Sequence, residues 1–344
     1  MTLTRREALA AGAATLTAAI ARGDAPEPPR TQMGVVIHSY GIRRFPDPLE
    51  FLEYCRSIGA GGVQTSLGVR DDAYAAKLDE LMKKHKLFIE GSISLPREKA
   101  DVERFTKEVQ SAKRCGADVL RTVLMSGRRY EVFTTAEAFR TFFDKAKESL
   151  ALARPIIEKH EIRMAVENHK DLLATDLVAV IKKLDSPFFG VTLDTGNNIA
   201  LLEHPQETTE LLAPLVFTTH IKDMGVEEYA DGFLLSEVPL GTGFLDMHKI
   251  VTTVRKHQPK ARLNLEMITR DPLKIPCLTP KYWATLETMP AKRLAEALAL
   301  VRTKASKQPL PRMTGLTKDE QLKREDDNVR QSLRYASEKL DTVK

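Results

Sequence analysis

Eight times along this chain a short run of β-branched or apolar residues is followed by a longer segment of helical period, and that rhythm constrains the fold more than any other feature. The runs fall at residues 35–39, 62–66, 87–92, 118–124, 162–167, 189–194, 216–221 and 262–268. The helical segments include 48–58, where Leu49, Leu52 and Cys55 share one face behind the N-cap Asp47, and 136–160, which Pro155 interrupts. Eight such units predict an α/β chain whose parallel strands close into a (β/α)8 TIM barrel, a fold of about 250 residues. An open, doubly wound sheet would carry a Gly-rich strand–helix turn, and no GxGxxG follows any of these runs.

The barrel accounts for residues 33–305 of the 344. Ahead of it, Thr4-Arg5-Arg6-Glu7-Ala8-Leu9 resembles the twin-arginine export consensus, and a weakly apolar run ends in Ala19-Ile20-Ala21, an A-x-A cleavage pattern. Residues 1–21 therefore read as a signal peptide, and residues 22–32 as an extended Pro-rich linker. The expected destination is the periplasm or another extracytoplasmic compartment. The run is too short and Ala-rich to span a membrane stably. Behind the barrel, residues 306–344 form a charged tail. In it Leu322, Val329, Leu333, Ala336 and Leu340 make a helical stripe suited to docking on the barrel or on another subunit of a homo-oligomer. A long loop is expected at residues 225–243, after the seventh strand, on the face where barrels place their active sites.

Composition removes some partners. The net charge of +5 is spread without a block of five like charges, and aromatic residues make up 6%, so no nucleic-acid surface is indicated. Cys55, Cys115 and Cys277 are odd in number and far apart, which predicts unpaired, mostly buried thiols.

The chemistry is written at the ends of strands five to eight: Met164-Ala-Val-Glu167, Val191-Thr-Leu-Asp194, Phe217-Thr-Thr-His220 and Leu263-Asn-Leu-Glu266. Side chains alternate along a strand, so the small and polar set containing these four residues faces the barrel interior. All four then converge at the mouth. Three carboxylates there repel one another unless a cation intervenes, and an oxygen set with one nitrogen suits a single Mn²⁺, Mg²⁺, Co²⁺ or Zn²⁺ ion. The alternative is a buried ion-pair network with basic partners such as Arg163 and Arg262.

Several motifs carry a resemblance: Val166-Glu167-Asn168-His169, Leu193-Asp194-Thr195-Gly196-Asn197, His220-Ile221-Lys222-Asp223, Gly241-Thr242-Gly243-Phe244-Leu245-Asp246 and Leu265-Glu266. In order and spacing they resemble the xylose isomerase-like barrels, which include sugar isomerases and epimerases and share a fold with apurinic endonucleases. The resemblance implies a metal, usually manganese, on Glu167, Asp194, His220 and Glu266, with Glu167 and Glu266 as an acid/base pair on opposite faces of a sugar. Two departures stand out. Asn197 occupies a position where the epimerases commonly carry histidine, and Leu173 lies about where they carry a further glutamate.

Proton removal beside a carbonyl is the chemistry that such a site serves, since a metal stabilises the negative charge that develops. The leading expectation is a metal-dependent isomerase or epimerase of a sugar or keto-sugar. β-Elimination from a 3-keto-glycoside is the alternative, and a non-catalytic sugar-binding barrel a third. An endonuclease fits worst, because only His220 stands in a clear ligand motif. His38, His169, Asn197 and Lys222 are the candidate substrate-binding residues. Gln64, Glu90 and Arg121, ending strands two to four, are further pocket candidates, and His85, His160 and His257 sit near helix C-termini without a catalytic role.

Overall fold

A computed structural model describes residues 30–343. The export signal read at residues 1–21, and all of the linker before Arg30, lie outside the described residues. Seven parallel strands follow in order: β1 (Gly34–Val36), β2 (Gly62–Thr65), β3 (Phe88–Ser92), β4 (Val119–Thr122), β5 (Arg163–Glu167), β6 (Phe189–Asp194) and β7 (Val216–His220). An eighth barrel strand, β10 (Asn264–Leu265), pairs with β1. The ring closes through the bridges Thr218↔Arg262 and Ile221↔Leu265, with the Ile221 N–H on the Asn264 carbonyl at 2.7 Å. The expected TIM barrel is therefore present.

Helices α1 (Pro48–Ser57), α2 (Asp72–His85), α3 (Val102–Arg114), α4 (Arg129–Val132), α5 (Ala136–His160), α6 (Ala174–Leu184), α7 (Pro205–Leu212) and α8 (Met247–His257) occupy the connections. Asp47 caps α1 through the Leu49 N–H, as its sequence position predicts. Pro155 lies inside α5, which continues as one helix to His160. Cys55, Cys115 and Cys277 are free and buried.

Two parts of the chain differ from the sequence reading. The expected loop at 225–243 is instead a hairpin, β8 (Asp223–Tyr229) and β9 (Gly232–Val238), extended by β11 (Leu273–Ile275) into an antiparallel sheet of three strands. Its turn ends at Gly232, φ +147°, where a Cβ would run into the Ile275 carbonyl. The second difference is the closing helix. Residues 291–304 do form a helix, α10 (Ala291–Lys304), after the short α9 (Pro280–Trp283), but α10 packs on the hairpin. The tail supplies the helix beside the eighth strand: α11 (Lys318–Tyr335), with a final π-helical turn at Ala336–Leu340. It packs on β10 and on the turn at Ile37–Tyr40, and its last turn packs on α8. Val329, Leu333, Ala336 and Leu340 are buried and Leu322 is half-buried, so the predicted stripe covers its own barrel.

Among the described residues no helix is long and apolar enough to cross a membrane.

Candidate active site

Strand alternation sends one set of side chains inward, and inside this barrel the set is polar. Glu90 on β3 accepts hydrogen bonds from Gln64 Nε2 at 3.0 Å, Thr218 Oγ1 at 2.7 Å and Asn264 Nδ2 at 3.0 Å. That plug sits beneath the mouth and orients what lies above. Because the Gln64 amide nitrogen is committed to Glu90, its carbonyl oxygen faces His220 Nε2 at 2.6 Å. An acceptor there assigns the imidazole proton to Nε2. The other nitrogen, Nδ1, is buried, has no hydrogen-bond partner and lies 3.4 Å from both Glu167 Oε2 and Glu266 Oε1. Burial opposes a charge on this ring, but Glu266 and Glu167 outweigh it and raise its pKa, so a metal ion on Nδ1 would compete with a proton there.

Glu167, Asp194, His220 and Glu266 are all buried, and one ligand atom from each lies within 4.8 Å of the others. The four residues read from the strand ends therefore converge. Asp194 is oriented by the N–H groups of Gly196 and Asn197, each 2.9 Å from Oδ1. Its backbone is tied across the strands to the Asn168 amide, which accepts from the Asp194 N–H and donates to the Asp194 carbonyl.

Cationic side chains also reach this cluster. Arg121 donates to Glu167 through Nε at 2.6 Å and through a terminal nitrogen, and Asn197 Nδ2 donates to Oε1 of the same carboxylate at 3.0 Å. Lys222, 1% exposed, bridges Asp194 Oδ2 at 2.8 Å and Glu266 Oε2 at 2.5 Å. Burial raises the Glu167 carboxyl, but Arg121 and His220 outweigh it and hold the group at about 2. Burial likewise opposes ionisation of Glu266, and Lys222 followed by His220 overcomes it, so this carboxyl lies well below its ordinary value. Asp194 goes the other way, pushed up to about 6 by burial despite Lys222. Repulsion among the carboxylates is thus relieved in part by side chains, so mutual repulsion does not by itself require a metal. The relieving groups are Arg121 and Lys222. Arg163 pairs with Asp118 near the opposite end, and Arg262 with Asp118 and Glu90. The case for a metal rests on geometry: four donors within reach of one point, one of them an imidazole nitrogen without a hydrogen-bond partner. The donor set fits one divalent ion.

A cavity of about 520 Å³ opens above the cluster. His38, His169, Asn197 and Lys222, the residues read as substrate contacts, all line it, as do Arg121 and Glu266. His38 is half-exposed, with Nδ1 3.1 Å from Glu266 Oε1. Burial lowers His169 to about 4, so this ring is neutral near pH 7. Gln64 and Glu90 act from beneath, not from the cavity wall. Sequence reasoning missed Lys170, Arg128, Arg270 and Glu237. Arg270 joins Glu237 of the hairpin by two hydrogen bonds, at 2.5 and 3.2 Å, and lines the cavity. A hollow of about 720 Å³ at the other end of the barrel, beside Arg30, Lys86 and Arg262, contains none of the four donors.

The sequence profile of the xylose isomerase-like TIM barrel matches residues 52–304, and the chain belongs to that family. Among curated proteins it is similar to a 3-oxo-isoapionate decarboxylase of Pectobacterium atrosepticum, 38% identical over 130 residues, which make up 35% of this chain and 47% of that protein. The matched stretches span less than half the length of this relative and of a second curated one, at 47% and 46%. Among solved structures, a xylose isomerase-like barrel protein from Mycobacterium smegmatis in complex with magnesium superposes with a TM-score of 0.52 at 18% identity, over 78% of this chain and 98% of that one. A 3-keto-D-glucoside 4-epimerase from E. coli gives 0.52 at 12% identity, over 80% and 100%. At these identities the likeness is one of fold.

Proposed function

We propose that this protein is a divalent-metal-dependent enzyme, with manganese the best-suited ion, that moves a proton at the carbon beside a carbonyl of a sugar or keto-sugar and so isomerises or epimerises it. The observation that carries the reading is the unpartnered Nδ1 of His220 among Glu167, Asp194 and Glu266 beneath a polar cavity. A divalent ion on these four residues would supply Lewis acidity toward substrate oxygens, stabilising the negative charge of an enediolate. Glu266, which reaches the cavity, would take the proton, and His38 at 3.1 Å would relay it to solvent. Lys222 and Asn197, which line the same cavity, would orient substrate oxygens.

A second reading has a specific observation behind it. Glu167 is clamped by Arg121 and Asn197 and does not line the cavity, whereas Glu266 does. That asymmetry favours one mobile proton carrier, as in β-elimination from a 3-keto-glycoside. It also suits loss of carbon dioxide from a 3-oxo acid, the type of reaction named for the Pectobacterium relative. All three reactions share the enediolate or enolate.

Incubating manganese-loaded protein in D₂O with ketoses, 3-keto-glycosides and 3-oxo sugar acids tests both readings. Deuterium position reports the carbon that is deprotonated, and product mass separates epimer, eliminated aglycone and decarboxylated ketose. Glu266→Gln should slow exchange by about 10²–10⁴-fold. An equal loss in Glu167→Gln at full metal occupancy supports the two-base epimerase, and a much smaller loss supports the second reading. Absence of exchange and of product across the whole panel would rule out both.

A further inference from the structure

Around the cluster, the cations pair off with carboxylates, with one exception. Arg121 holds Glu167, Lys222 bridges Asp194 and Glu266, and Arg270 grips Glu237. Lys170 is left over. It is 4% exposed and lines the cavity, and its Nζ donates to the neutral Asn197 Oδ1. Among the described residues no carboxylate lies within ion-pair distance of it; the neighbouring Asp171 turns Oδ1 back onto the N–H groups of His169 and Leu172. Burial and the nearby Lys222 lower the Lys170 amine to about 8, which leaves it mostly charged near pH 7. A buried ammonium with no carboxylate in contact is costly, and an anionic ligand in the cavity would supply the missing partner.

The position is specified too. Asn197 receives Lys170 on Oδ1 and holds Glu167 through Nδ2, so the amine stands one side-chain amide away from the donor cluster.

We propose that the substrate is a sugar acid, and that Lys170, steadied by Asn197, receives its carboxylate close to the reacting carbon. This rests on the enolisation reading above for the location of that carbon. The test is titration calorimetry on the manganese-loaded full chain with matched pairs that differ only in a carboxylate replacing a hydroxymethyl group. D-fructose with 2-keto-D-gluconate and L-sorbose with 2-keto-L-gulonate are two such pairs, and D-fructose 6-phosphate is the phosphate control. At least one acid should bind about tenfold or more tightly than its ketose. Lys170→Met should abolish that preference and Lys170→Arg retain most of it, with manganese content unchanged in both. Lack of preference in every pair, a preference that survives in Lys170→Met, or tighter binding of the phosphate than of either acid would overturn the proposal. Deuterium exchange measured in parallel separates the two ideas. Acid preference without exchange at any carbon refutes enolisation and leaves the receptor standing, and exchange without acid preference does the reverse.

Discussion

An imidazole in this barrel can ligate only through the nitrogen that lacks a proton, and Gln64 decides which one that is. Its amide is fixed by Glu90 below and presents an acceptor to His220 Nε2 above. Gln64→Leu should keep the fold yet weaken metal affinity by about 10–100-fold, the usual effect of removing a group that orients a metal ligand. Asp194→Ala should remove the metal outright, and equilibrium dialysis with metal analysis distinguishes the two outcomes. Undiminished affinity in Gln64→Leu would mean that the tautomer is set elsewhere. At this scale, what could be read in advance follows from position. Glu167, Asp194 and His220 each end a strand, and Glu266 stands one residue beyond its own, so alternation alone aims them inward. Lys170, Arg270 and Glu237 reach the same place from a loop residue with φ +50°, a connection and a hairpin, and no periodic pattern announces such groups.

Helix α11 shows how an element's place can be hidden when its pattern is plain. The stripe on it was readable, but its slot in the ring depends on partners almost 300 residues away. Glu325 accepts the N–H groups of Ile42 and Arg43 at 2.7 and 2.9 Å, and Asp326 accepts the hydroxyls of Tyr40 and Tyr54. Leu333→Ala should cost about 2–5 kcal/mol, as buried leucines do. Leu278→Ala, at a leucine 52% exposed, should stay within about 0.5 kcal/mol. Urea unfolding reads both, and equal costs would mean that α11 is only loosely docked. The hairpin was missed for a different reason. Asp231-Gly232 between apolar-rich segments is a hairpin signal, but the segment lies outside the strand–helix repeat, and nothing local marks β11, more than 30 residues on, as its pairing partner.

The eightfold strand–helix rhythm made the barrel legible because each unit repeats the same local physics. Order around the ring follows from parallel pairing of neighbours. The stacking of α10 on an antiparallel sheet beside the mouth belongs to this chain and has no such rule. Export is a prediction at the same scale. Replacing Arg5 and Arg6 with lysine should leave the protein in the cytoplasm with residues 1–21 uncleaved, as read by cell fractionation and N-terminal mass, and unchanged delivery would overturn the twin-arginine reading. The junction beneath the barrel has a practical side. Thr31 Oγ1 and the Gln32 N–H both bind the Asp341 carboxylate, at 2.9 Å and 3.2–3.3 Å, just below the start of β1. The segments that flank the folded core thus meet on the face opposite the entrance to the polar cavity. A tether to a bead or a fusion partner attached at either one leaves that entrance unobstructed, and a short splice between them suits the molecule to circular permutation.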